Sequence, residues 1–171
     1  MWNTTLAALV TIGTIAVGVS GASADEDEAS GAAVAKYMPT AKVTLQQGLT
    51  AAESQGKPIS GKFEVDEGHF QLSVYTAQDG KFSEVLVDHN SGKVAKTEAI
   101  TGGDDLADAK KQSEACGRSK KSLQSAVDKA EQASAGYRAI GVAPKLSGGH
   151  AVAVVTLLKG TQLKSVSEPL E

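Results

Sequence analysis

Residues 44–87 read TLQQGLTAAESQGKPISGKFEVDEGHFQLSVYTAQDGKFSEVLV, and the fold turns on a change of period inside this stretch. Leu45, Leu49 and Ala52 recur at helical spacing and mark one apolar stripe. Thr44 and Gln47 stand at the spacing of a capping box, in which the Thr44 hydroxyl accepts from the Gln47 amide and the Gln47 side chain accepts from the Thr44 amide. Gly56 is a natural residue to end such a helix, and Pro58 blocks its continuation. From there the period is two. Phe63 and Val65 alternate with Lys62 and Glu64, and Phe70, Leu72, Val74 and Thr76 alternate with Gln71, Ser73 and Tyr75. Asp66-Glu67-Gly68 is a turn, and Asp79-Gly80 is the dipeptide a two-residue hairpin prefers, because both positions tolerate positive φ. Phe82–Val87 supplies a third strand, ended by Asn90-Ser91-Gly92. One helix can then cover the apolar face of an antiparallel meander whose other face stays wet.

A second, degenerate copy runs over residues 122–166. Thr44-Leu45 corresponds to Ser122-Leu123, Leu49 to Val127, and Ala52-Glu53 to Ala130-Glu131, all displaced by 78 positions. Gly68-His69 corresponds to Gly149-His150 at a displacement of 81, and Gly80 to Gly160 at 80. Helix and turns repeat in order, which points to duplication of one supersecondary unit. The expected class is α+β, with two helix-plus-antiparallel-sheet units in tandem: unit 1 over 41–101 and unit 2 over 122–171.

Outward from these units, Met1–Ala24 carries no charged side chain, and Ala22-Ser23-Ala24 fits a small-residue cleavage site. The apolar core Leu6–Val19 is shorter than the ~18 residues of a spanning helix. The segment reads as a secretory signal peptide cleaved after Ala24, with an uncleaved anchor as the alternative, since Met1–Thr5 holds no Lys or Arg. Removing those 24 residues from 171 leaves 147, enough for one ordinary domain or two small ones that pack together. The expected location is the periplasm or the medium, with no stable membrane span once the leader is gone.

All charged residues follow position 24, so the remaining chain keeps the net charge of −3. That balance, without a basic patch, argues against nucleic acid as a partner. Residues 25–40 open with Asp25-Glu26-Asp27-Glu28 and read as a flexible, solvated tail, a cation-binding tail being the other reading. Tyr37-Met38-Pro39 is placed to tuck against unit 1. Val94–Ile100 is an edge-strand candidate, and 102–121 reads as a polar connector in which Asp104 caps a short helix, Asp105–Ala115, too polar for a core stripe of its own.

Unit 2 differs from unit 1 in its middle strand. Ala151, Ala153, Val155 and Leu157 fall on one face, and Val152, Val154, Thr156 and Leu158 on the other. A strand apolar on both faces is usually covered on both. The outer face therefore needs unit 1, a second subunit or a bound partner against it, and the last strand leaves a free edge.

Recognisable chemistry is scarce. His69 and His150 occupy matched places after the turn glycines, and His89 sits beside Asp88. The matched pair reads either as inherited turn residues or as weak candidates for a metal site, with no Cys or second His nearby to complete it. No His stands with Ser or Cys in a nucleophile motif, and the glycines sit at turns rather than in a phosphate cradle. No catalytic residue and no cofactor are expected. Cys116, the single cysteine, reads as an exposed free thiol in the connector or as an intermolecular disulfide; Arg118, Lys120 and Lys121 nearby would favour its thiolate. Cys116 and the second sheet are thus two routes to a dimer.

Taken together, the helix Thr44-Leu45…Glu53, the strand Phe70-Gln71-Leu72-Ser73-Val74-Tyr75, and Asp79-Gly80-Lys81 before Phe82–Asp88 resemble the PepSY family. Those are small domains of exported bacterial proteins and of metallopeptidase propeptides. Asn90-Ser91-Gly92-Lys93-Val94 resembles the family's closing turn, with Ser91 where Thr is common, whereas unit 2 lacks that Asp…Gly ending. The resemblance implies a cystatin-like fold, a helix on a curved antiparallel sheet, and a role in restraining peptidases. It supplies no catalytic residues. With no peptidase domain in the chain, such restraint would act in trans. The expected function is non-enzymatic binding of another protein, a peptidase among the candidates, through Val152, Val154, Thr156 and Leu158. The alternative is a periplasmic small-ligand or metal-binding sensor built around His69 and His150.

Overall fold

The structure is a computed structural model and describes residues 31–171, so the leader expected at 1–24 and the acidic start of the tail at 25–30 lie outside the described residues. A helix over residues 31–37 (α1) and a 3-10 turn, Met38–Thr40, lead to helix α2, Leu45–Ala52, and a second 3-10 turn, Glu53–Gln55. Strands β1 (Lys57–Asp66), β2 (His69–Gln78), β3 (Lys81–Val87) and β4 (Val94–Ile100) follow. Helices α3 (Gly103–Gly117) and α4 (Leu123–Gln132) then precede β5 (Arg138–Ser147), β6 (His150–Lys159) and β7 (Gln162–Pro169). The molecule is α+β. Among the described residues seven strands form one wholly antiparallel sheet in the order β4-β3-β2-β1-β5-β6-β7.

Local chemistry explains most of these elements. Both arms of the capping box are made, Gln47 N–H to Thr44 Oγ1 at 3.2 Å and Thr44 N–H to Gln47 Oε1 at 2.8 Å. Ser122 caps α4 through the amide of Ser125 at 3.1 Å. The turns Glu67-Gly68, Asp79-Gly80 and Gly148-Gly149 each place two successive residues at positive φ, the backbone whose twist matches a right-handed hairpin. Gly48 is a packing glycine: a Cβ there would stand 2.4 Å from Leu72 Cδ2, so its absence lets α2 lie close on β2.

The two halves meet at a strand edge. Gly61 pairs with Val142 and Lys62 with Gly141, joining β1 to β5. Gly61 and Val142 are displaced by 81, as are Gly68-His69 and Gly149-His150. The register irregularities in the two hairpins also fall 81 apart, at Ile59 between Pro58 and Ser60 and at Ile140 between Ala139 and Gly141. Equivalent residues therefore face one another across the joint in antiparallel sense. α2 and α4 lie together on one side of the sheet, tied by Gln46 Nε2 to Asp128 (3.0 Å) and Glu131 (2.8 Å) and by Gln124 Nε2 to Glu53 (2.9 Å). Leu49, Leu72, Val74 and Val85 of one half and Val127, Ala153, Val155 and Leu157 of the other belong to a single core.

Two expectations are corrected. The connector, expected to be too polar for a core stripe of its own, does bury one. α3 packs across the opposite side of the sheet, mainly on β5 and β1, so the molecule has three layers. It manages this with small residues: Ala109, Ala115 and Cys116 are buried, and Gln112 accepts from Ser60 Oγ at 2.7 Å. Its N-cap is Gly102 with no side-chain cap, and Asp104 and Asp105 occupy the first turn instead. The tail expected to be flexible over 25–40 is ordered from residue 31. Val34 and Met38 are buried four residues apart, Tyr37 stacks on Phe70 with ring centroids 6.0 Å apart, and Arg138 anchors the segment. The Arg138 guanidinium donates to the carbonyls of Met38, Ala41 and Val43 and lies 5.7 Å from the Phe63 ring.

Candidate binding face and cleft

β6 has the apolar residues on both sides that the sequence shows. Ala151, Ala153, Val155 and Leu157 are buried beneath α4, whereas Val152, Val154 and Thr156 on the other side are only partly covered. α3 reaches Val154 and Thr156 but does not seal them. A cleft of about 300 Å³ remains between α3 and this face, walled by Asp105, Asp108, Ala109 and Gln112 on the helix. Ser60, Lys62, Tyr75, Ala143, Val154 and Thr156 form its floor and far side. Leu158 does not join this row. It is 6 % exposed and shares a crevice with Ala35, Met38 and Arg138, because α1 occupies that end of the sheet.

The polar side of the cleft is internally satisfied. Lys62 Nζ meets Glu64 at 2.6 Å, Ser73 Oγ donates to Glu64, and Gln71 Nε2 donates to both. Burial pushes the Glu64 carboxyl up, but Lys62, Ser73 and Gln71 together outweigh it and hold the group below its ordinary value. Tyr75 is driven the other way. Burial, then the negative field of Glu84, Glu64, Asp105 and Asp66, raises its phenol well above the usual range, so it stays a neutral hydrogen-bond donor. The cleft presents the apolar patch Ala143 and Val154, the hydroxyls of Ser60, Thr156 and the neutral Tyr75, one paired ammonium and two exposed carboxylates at its rim.

The matched histidines are not brought together. His69 opens β2 at the hairpin beyond Asp66, and His150 opens β6 at the hairpin beyond Ser147. Because β1 and β5 run antiparallel through Gly61 and Val142, these hairpins lie at opposite ends of the sheet, roughly 30 Å apart at about 3.3 Å per strand residue. His150 Nδ1 pairs with Glu171 at 2.8 Å, and the His89 ring packs on Phe70 with centroids 4.9 Å apart. Among the described residues no group of three or more His, Cys, Asp and Glu is placed to hold a metal ion.

Cys116 is corrected as well. It is 5 % exposed, on the sheet side of α3 with Sγ 3.9 Å from the carbonyl of Ile59. Burial raises its thiol, and the nearby Lys57 only partly opposes this. A disulfide to another chain would need α3 to lift. The residues that sequence reasoning missed are Asp105, Asp108 and Gln112, the helical wall of the cleft. Ala109, Gln112 and Cys116 carried a signal, since they recur at the spacing of one helix face.

Among the described residues no helix is long and apolar enough to cross a membrane. No family model matches the chain, and no curated protein matches it. Among solved structures, a crystal structure described as a "putative lipoprotein" from Clostridium difficile 630 is similar at 12% identity, with 70% of this chain and 78% of that chain covered and a TM-score of 0.42. A likeness this loose assigns neither a fold family nor a function.

Proposed function

We propose that this chain is an exported, non-enzymatic protein made of two PepSY-type, cystatin-like units, and that it binds another protein through the open side of its second unit. The observation that carries this reading is the row Val152, Val154 and Thr156, mostly apolar and only partly covered, beside a cleft and one strand from the β7 edge. A partner strand or loop laid along this row would complete the cover that α3 leaves unfinished. The repeated bulges at Ile59 and Ile140 and the equivalent pairing at the joint support the duplicated-unit part of the reading. A peptidase restrained in trans is the partner class that the PepSY resemblance implies. Val154→Lys tests the surface. The folded variant loses capture of the partner, whereas unchanged capture removes this row from contention.

The cleft supports a second reading, a small-ligand binder, because about 300 Å³ is at the lower end of the size of small-molecule pockets. A metal-centred form of that reading has no such support, since His69 and His150 stand at opposite ends of the sheet.

A further inference from the structure

Both edges of the sheet are formed by strands that differ in how they are protected. β7 ends in Pro169; Lys164 donates to Ser134 at 2.9 Å, and Glu168 pairs with Lys129 at 2.6 Å, so its charges are committed within the molecule. β4 is not protected in this way. It packs on β3 and on no other element to a comparable extent among the described residues, and its five central residues are all exposed. Its two charged side chains, Lys96 and Glu98, lie on the same face at 2.9 Å from each other, each about half exposed.

The sequence of β4, Val94-Ala95-Lys96-Thr97-Glu98-Ala99-Ile100, is self-complementary about Thr97. Turned antiparallel on itself, the regular part of the strand sets Lys96 against Glu98 on either side of the central Thr97, while Ala95 and Val94 lie at and beyond the bulge. We propose that β4 is a self-association edge, where two copies of this chain pair antiparallel about Thr97 and extend the sheet across a twofold axis. In that pairing Lys96 faces the partner's Glu98 and Glu98 faces the partner's Lys96, so each charge exchanges a neighbour on its own strand for one directly opposite. The bulge at Ala95, where β4 gains a residue against β3, confines the flat part of the edge to Lys96 onward. A twofold about Glu98 would bring two carboxylates together, so charge selects Thr97 as the centre. The molecule already joins strands this way at Gly61 and Val142.

Sedimentation of the purified protein across micromolar concentrations tests the proposal. The protein as it stands shows a concentration-dependent dimer. Lys96→Glu, which sets like charges opposite one another twice, raises the dissociation constant about tenfold or more. Lys96→Glu combined with Glu98→Lys restores complementarity and returns the dimer. Circular dichroism confirms that each variant is folded. A monomer at every concentration, a dimer indifferent to Lys96→Glu, or a double swap that fails to restore it would each overturn the proposal. Partner capture through Val154 is read separately, and the β4 variants leave it unchanged.

Discussion

Arg138 links the segment before α2 to the second half of the sheet, and its charge sits in a half-buried place. Burial lowers its guanidinium from the ordinary value, which Glu131 partly offsets, and three backbone carbonyls plus the Phe63 face take up its donors and charge. Arg138→Ala leaves those carbonyls without a partner and is expected to cost about 2 kcal/mol in urea unfolding. Arg138→Lys recovers less than half of it, because an ammonium lacks the planar fork. Glu64 predicts a pH effect. Its carboxyl lies below its ordinary value in the folded protein, so its contribution is present at neutral pH and is lost as pH falls through the lowered value. Melting temperatures between about pH 6 and pH 3 are expected to fall less steeply for Glu64→Gln than for the parent protein. An identical acid limb would remove Glu64 from the account.

At the scale of elements, α3 is where composition misleads. Its residues Asp104, Asp105, Asp108, Lys110 and Lys111 read as solvent-facing, and they are; what buries the helix is the narrow line Ala109, Gln112, Ala115 and Cys116. A helix that lies close needs small side chains rather than a wide apolar stripe, so mean polarity does not report its packing. Ala109→Glu should therefore lift α3 without unfolding the sheet. Its expected signature is fast labelling of Cys116 by a thiol reagent at unchanged strand signal, against slow labelling in the parent. Slow labelling in a folded Ala109→Glu protein would mean that α3 is held by more than this line. By contrast α2, the turns of the meander and strands β2 and β3 were legible nearly to the residue, whereas the first half of β1, Lys57–Gly61, was not. Thr44, Gln47, Glu67-Gly68 and Asp79-Gly80 act on neighbours within a few positions, and such signals survive in a single sequence. The ordered stretch before α2 was misread for a related reason, since the acidic run at 25–28 outweighed Val34 and Met38, two buried residues at helical spacing.

For the whole molecule, the joint decides the outcome. Gly61, Lys62, Gly141 and Val142 carry no local mark of pairing, because the contact spans some eighty positions and signals between near neighbours do not report it. The matched turns of the two halves could be read from the sequence, but the way the halves meet could not, and nor could the burial of Leu158 beside Ala35 and Met38. That meeting separates His69 from His150, puts α2 and α4 on one side of the sheet, and leaves the other side to α3 and to the partly open row on β6. The candidate site was thus half legible: the two-faced strand could be read from alternation, the cleft wall could not.

The most direct test of the account is partner capture by the parent protein and by Val154→Lys, compared side by side from a periplasmic extract and quantified by mass spectrometry. The account predicts one protein recovered in stoichiometric amount by the parent and lost with the folded variant, followed by inhibition of that protein if it is a peptidase. Equal recovery by both, or none by a folded parent, would contradict binding through this face.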